Sequence, residues 1–127
     1  MTGPLWFFGT PLFAARVLEA LVKKDFPLTL VVTQPDRPAG RGYEARIPPV
    51  KALARGLVVS VFQPASLKEP SAREYFESLA RVEPPQAAVV AAYGQILPAW
   101  LLEMPARGFY NLHASLLPRF RGASPIQ

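Results

Sequence analysis

The sequence predicts an α/β fold: one doubly wound, mostly parallel sheet with helices on both faces. Three observations carry that reading. Short runs that are almost wholly apolar recur along the chain, as expected of strands buried on both faces. Segments with apolar residues at helical spacing separate them. No internal repeat or linker divides the chain, and 127 residues suit one domain with its own core.

The elements follow in order. Leu5 to Phe8 is the first strand, closed at once by Gly9-Thr10-Pro11. Thr10 suits an N-cap and Pro11 the first helical position, where a missing N–H costs nothing. Phe13, Ala14, Val17, Leu18 and Leu21 then recur at helical spacing, Arg16 and Glu19 can face water, and Lys23 and Lys24 close the helix where cations favour its dipole. Leu28 to Thr33 is a β-branched second strand. It opens into a long loop from Gln34 to Pro49 that holds Arg37, Arg41 and Arg46. Loops of this length in compact domains are functional or solvated excursions, and both readings fit its composition.

Val50 to Arg55 reads as a short helix ended by Gly56, and Leu57 to Phe62 as a third strand. Ser71 with Glu74 has capping-box spacing, ahead of an apolar face of Ala72, Tyr75, Phe76, Leu79 and Ala80. Pro84-Pro85 stops that helix. Gln86 to Ala92 is a fourth strand, and Phe109 to His113 a fifth entered through Gly108. The loops after strands one, two, four and five should meet at one sheet edge, where open α/β folds bind ligands.

Composition narrows the classes. Half the residues are hydrophobic and 18% are charged, which excludes wholesale disorder. No apolar run is long enough to span a bilayer, and the start lacks a basic signal region. Without cysteine there are no disulfides or thiolate metal sites, so a cytoplasmic location without membrane or metal is expected. A net charge of +5 and pI near 10.0 fit a polyanionic partner, and equally a mildly basic cytoplasmic domain. Neither G-x-G-x-x-G after a strand nor G-x-x-x-x-G-K-[ST] occurs, which disfavours dinucleotide and P-loop binding.

The chemistry concentrates at the end of the chain. Asn111 and His113 lie two apart on a strand and so project to one side. A carboxamide beside an imidazole is a poor metal site, but it can stabilise a developing oxyanion and pass a proton to a leaving nitrogen. The same pair also fits a structural histidine satisfied by backbone. No carboxylate stands ready to fix the imidazole. Asp36, the best placed, sits in an Asp-Arg-Pro turn that local backbone bonding explains equally well.

Four blocks then carry a resemblance that spans the chain: Phe8-Gly9-Thr10-Pro11 with Phe13-Ala14, Thr33-Gln34-Pro35-Asp36-Arg37-Pro38-Ala39-Gly40-Arg41-Gly42, Val90 through Pro98, and Asn111-Leu112-His113 through Gly122. The sequence resembles the methionyl-tRNA formyltransferases, within the folate-dependent formyltransferases. The resemblance implies a Rossmann-like formyltransferase N-terminal fold and formyl transfer from 10-formyltetrahydrofolate to the amino group of initiator methionyl-tRNA. It implies that Asn111 and His113 stabilise the tetrahedral adduct, and that Gly94, Gln95, Ile96 and Leu97 with Ser115, Leu116, Leu117 and Pro118 bind the folate. It implies that the arginine loop touches tRNA, with Arg41 as its key residue beside Arg37 and Arg46.

Departures from the pattern are Leu12, where an acid is usual, and Glu44, in a loop that tends to be lysine-rich; Leu112 and Phe120 are milder. The resemblance further implies that residues 1–127 are the N-terminal part of a catalytic domain, truncated before the family's aspartate and C-terminal domain. Little or no activity is then expected of the chain alone, and an uncovered sheet edge could self-associate. Open alternatives are a remnant that binds folate or RNA without turnover, and a glycinamide ribonucleotide or amino-sugar formyltransferase.

Overall fold

The structure is a computed structural model that describes residues 3–38, 45–113 and 123–125. Five strands run parallel: β1 (Leu5–Gly9), β2 (Leu28–Val32), β5 (Ser60–Phe62), β6 (Ala87–Ala91) and β7 (Phe109–Leu112). A sixth, β8 (Ala123–Pro125), pairs antiparallel with β7, giving the order β5-β2-β1-β6-β7-β8. Two two-residue strands, β3 (Arg37–Pro38) and β4 (Ala45–Arg46), form a separate antiparallel ribbon. The helices are α1 (Leu12–Lys23), α2 (Pro49–Ala54), α3 (Pro70–Val82) and α4 (Ala99–Leu102).

Strand alternation divides the core into two layers. Leu5, Phe7, Val31 and Val89 pack with Ala14, Ala15 and Leu18 of α1 and Val50 and Ala54 of α2. Trp6, Phe8, Leu30 and Val90 pack with Phe76 of α3, Leu101 of α4 and Phe109. Helices therefore cover both faces, which is why the apolar runs are continuous. Phe76 centres the second layer, with ring centroids 5.5 Å from Trp6, 5.9 Å from Phe8 and 5.3 Å from Phe62. Burying a side chain of this size contributes about 1.5–3 kcal/mol.

Several boundaries differ from the sequence expectation, each for a local reason. The N-cap of α1 is Pro11 and not Thr10, because the Thr10 side chain is engaged across the sheet edge. The start of α3 is set by Pro70 at its first position, so Ser71 lies inside the first turn and no capping box forms. The third strand shrinks to Ser60–Phe62, with Val58 fully exposed before it. Ala92, at φ 54°, ends β6 one residue early. The short α4 and the strand β8 lie outside the elements that the sequence pattern predicts. Because β8 lies along β7, the edge expected to be uncovered there is occupied, and the outer strands are the three-residue β5 and β8.

Gly9 closes β1 where α1 crosses closely. A Cβ there would lie 2.6 Å from Ala14 Cβ and 2.9 Å from the Ala91 carbonyl oxygen. The tight turn that the sequence suggests is thus a contact between helix, strand and neighbouring strand.

Candidate functional site

The chain leaves β1 toward β2 on one side and returns to β6 on the other. The topological switch point therefore lies between the carboxyl ends of β1 and β6, where Gly9 pairs with Ala91. Hydrogen bonds close this crevice from loop to loop. The Thr10 N–H donates to the Ala92 carbonyl at 3.1 Å, and the Thr10 hydroxyl donates to the Tyr93 carbonyl at 2.7 Å. The same hydroxyl accepts the Gln34 N–H at 3.3 Å. A small hydroxyl thus ties together the three loops after β1, β2 and β6.

Next to this knot, at the carboxyl ends of β6 and β7, a cavity of about 450 Å³ opens. Val90, Ala92 and Asn111 come from the strand ends, Tyr93 through Leu97 form the loop wall, and Leu102 comes from α4. Gly94, Gln95, Ile96 and Leu97 are therefore brought together with Asn111. Gly94 takes φ 108°, and Ala92 two residues earlier is also at positive φ, so the wall turns sharply as soon as β6 ends. Ile96 is 91% exposed, an apolar side chain of the loop wall that faces outward.

Asn111 pairs with Val90 of β6 on one side and Ser124 of β8 on the other, and is half-buried. Tyr110 and Leu112 pack toward α1, while Phe109 packs toward α3 and α4. Alternation therefore turns Asn111 to the α3–α4 side, where the cavity lies. His113 follows β7, is exposed, and is not among the residues lining the cavity. Among the described residues no group of three His, Cys, Asp or Glu side chains comes together as a metal site. Ser115, Leu116, Leu117, Pro118 and Arg41 lie outside the described residues.

The Gln95 side chain does more than the sequence indicated. Its Oε1 accepts the Leu67 N–H at 2.8 Å, and its Nε2 donates to Gln34 Oε1 at 2.8 Å and to the Pro64 carbonyl at 3.1 Å. Its amide is spent on holding neighbouring loops. Asp36 is likewise reassigned. Instead of bonding its own turn, it accepts from Gln63 Nε2 at 2.7 Å and pairs with Lys51 Nζ at 3.0 Å through both oxygens. The Gln63 hydrogen bond, then the Lys51 ammonium, hold its carboxyl below the usual carboxylate range.

The arginine loop is not a featureless excursion at its base. Arg37 stands directly opposite Arg46 in the β3–β4 ribbon, and both side chains are exposed. Like charges directly opposed on a ribbon destabilise it, so a bound anion would relieve the pair. Both also line a second cavity of about 310 Å³ with Thr10, Gln34 and Pro48. Sequence reasoning overlooked Gln34, Gln63 and Lys51. The available signal for Gln34 was an amide placed just beyond a β-branched strand, at the ligand-binding edge.

Among the described residues no helix is long and apolar enough to cross a membrane. In fold, the chain is similar to glycinamide ribonucleotide transformylase 1 from Geobacillus kaustophilus, with a TM-score of 0.57 and 24% identity over 96% of this chain and 63% of that one. In sequence it is 51% identical over 121 residues to a methionyl-tRNA formyltransferase of Nitrosomonas eutropha, covering 95% of this chain and 37% of that protein. It is 48% identical over 121 residues to the enzyme of that name from Thermotoga maritima, again covering 95% of this chain and 37% of the relative. The chain thus spans somewhat over a third of the length of these relatives. A family model described as formyl transferase matches residues 5–127. With its strand-end cavity and loop wall, the chain belongs to the formyl transferase family.

Proposed function

We propose that these residues form the folate-facing part of a methionyl-tRNA formyltransferase, which moves a formyl group from 10-formyltetrahydrofolate to the amino group of initiator methionyl-tRNA. The observation that carries this reading is the cavity that gathers Gly94 through Leu97 around Asn111. It is concave, largely apolar and provided with one neutral hydrogen-bonding side chain from β7, as suits a heteroaromatic ligand. The similarity to enzymes of that name supports the choice of acceptor.

In this mechanism the amine attacks the formyl carbon, and the carbonyl π electrons move onto oxygen. The Asn111 amide N–H donates to that oxygen as its charge develops, which stabilises the adduct more than the ground state. As the electrons on oxygen re-form the carbonyl and the bond from carbon to the folate nitrogen breaks, His113 delivers a proton to that leaving nitrogen and is restored by the proton that the attacking amine loses. Ser115, Leu116, Leu117 and Pro118 would complete the folate contacts, and Arg37, Arg41 and Arg46 would neutralise tRNA phosphates. No metal takes part in this scheme, and the reading carries a cytoplasmic location with it.

The test joins Gln127 to the C-terminal remainder of the Nitrosomonas eutropha enzyme and assays the fusion beside the 127-residue chain. Mass detection of formyl-methionyl-tRNA from 10-formyltetrahydrofolate by the fusion is the expected result. Formylation of glycinamide ribonucleotide or an amino sugar in preference to the tRNA would overturn it.

A further inference from the structure

The cavity and the arginine ribbon are linked by one side chain. The Leu67 N–H needs an acceptor, so Gln95 presents its oxygen to Leu67 and its NH2 to Gln34. Gln34 must then present its oxygen to Gln95, which leaves the Gln34 NH2 against Gly94. A Cβ on Gly94 would lie 2.6 Å from that nitrogen, so the glycine leaves room for the amide to lie on the loop backbone. Gln34 thus hydrogen-bonds one residue of the cavity wall, Gln95, and packs its amide against the preceding one, Gly94.

The Gln34 backbone is held just as firmly. Its N–H donates to the Thr10 hydroxyl at 3.3 Å, and its carbonyl accepts Gln63 Nε2 at 3.1 Å. The same Gln63 nitrogen reaches Asp36 at 2.7 Å, and Lys51 holds Asp36 from the other side. Arg37 is the next residue, where the ribbon begins. Only Pro35 lies between the two anchors, and its ring fixes φ, so the link from Gln34 to Asp36 is short and stiff. A displacement of the ribbon has no slack segment in which to be absorbed before it reaches Gln34.

We propose that Gln34 is a positioning residue that couples the two sites: through Gln95 and Gly94 it sets the cavity wall according to the state of the Arg37–Arg46 ribbon. This rests on the reading above, in which the cavity takes a reduced folate and the ribbon takes tRNA. Each ligand then changes the affinity of the other by the same factor, because equilibrium coupling is reciprocal.

The experiment measures tetrahydrofolate affinity for the 127-residue chain with and without saturating initiator tRNA, and tRNA affinity with and without tetrahydrofolate. Wild type should show a change of about fivefold or more, equal in both directions. Gln34→Met, which removes the amide from both Gln95 and Gly94, should bring the ratio close to one. Gln34→Glu retains the acceptor for Gln95 and should restore most of it. A wild-type ratio of one with both ligands bound, or an unchanged ratio in Gln34→Met, overturns the coupling. If neither ligand binds wild type, the functional reading fails instead. The positioning role is then decided by hydrogen exchange, with α1 as internal reference. Amides of Gly94 to Leu97 should exchange faster in Gln34→Met than in wild type, and equal protection would overturn that role as well.

Discussion

The hydroxyl of Thr10 donates to the carbonyl of Tyr93 at 2.7 Å, joining residues 83 positions apart. It is the shortest tie between the β1 and β6 loops, and it also accepts the Gln34 N–H. Thr10→Val keeps the shape of the side chain and removes both bonds at a partly buried position. The expected loss of stability is about 1–3 kcal/mol, read as a lower urea midpoint with an unchanged slope. A midpoint within error of wild type would mean that the knot carries no net stability.

Gly94→Ala tests the cavity wall through its backbone. The substituted residue would have to hold φ 108°, and its Cβ would lie 2.6 Å from the Gln34 amide. The amide could swing aside only by breaking its bond to Gln95, so the two effects add. Stability should fall by about 1–3 kcal/mol, and tetrahydrofolate affinity should fall with it. A variant with wild-type melting and affinity would show that the loop relaxes freely.

Asn111→Ala and His113→Ala separate catalysis from binding. In the fusion enzyme each should lower kcat by about 10²–10³ while folate affinity changes far less, because in the proposed mechanism their contacts strengthen only as the adduct forms. Loss of folate affinity in parallel with kcat would place Asn111 in ground-state binding and leave His113 without the role assigned to it.

The Asp36 carboxyl gives stability a defined acid limb. Its pKa in the folded chain lies below its ordinary value of 3.8, so the unfolded chain takes up the proton first as pH falls. The contribution is present above the unfolded value and disappears as pH drops through the lower, folded one. Asp36→Asn removes the ion pair with Lys51 at every pH and should flatten the decline of melting temperature below about pH 4. An acid limb of the same slope in the variant would assign it to other carboxylates.

Much of the fold was legible in the sequence because it depends on local pattern. Runs such as Leu5–Phe8 and Ala87–Ala91 have no polar face, as suits a strand covered on both sides, and α1 declares itself by spacing alone. Those features determined the parallel sheet, the approximate ends of its strands, and the position of Asn111 on its strand. Tertiary structure decided the rest. Whether Thr10 caps a helix or clasps Tyr93, whether Ser71 or Pro70 begins α3, and whether Asp36 serves its own turn or Lys51 are competitions between near and distant partners. Polar side chains take the partner that the packed chain brings within about 3 Å, and distance along the sequence does not report it. The same reason hid the Gln34–Gln95 pair, two amides whose meeting depends on the order in which β2, β1 and β6 lie in the sheet.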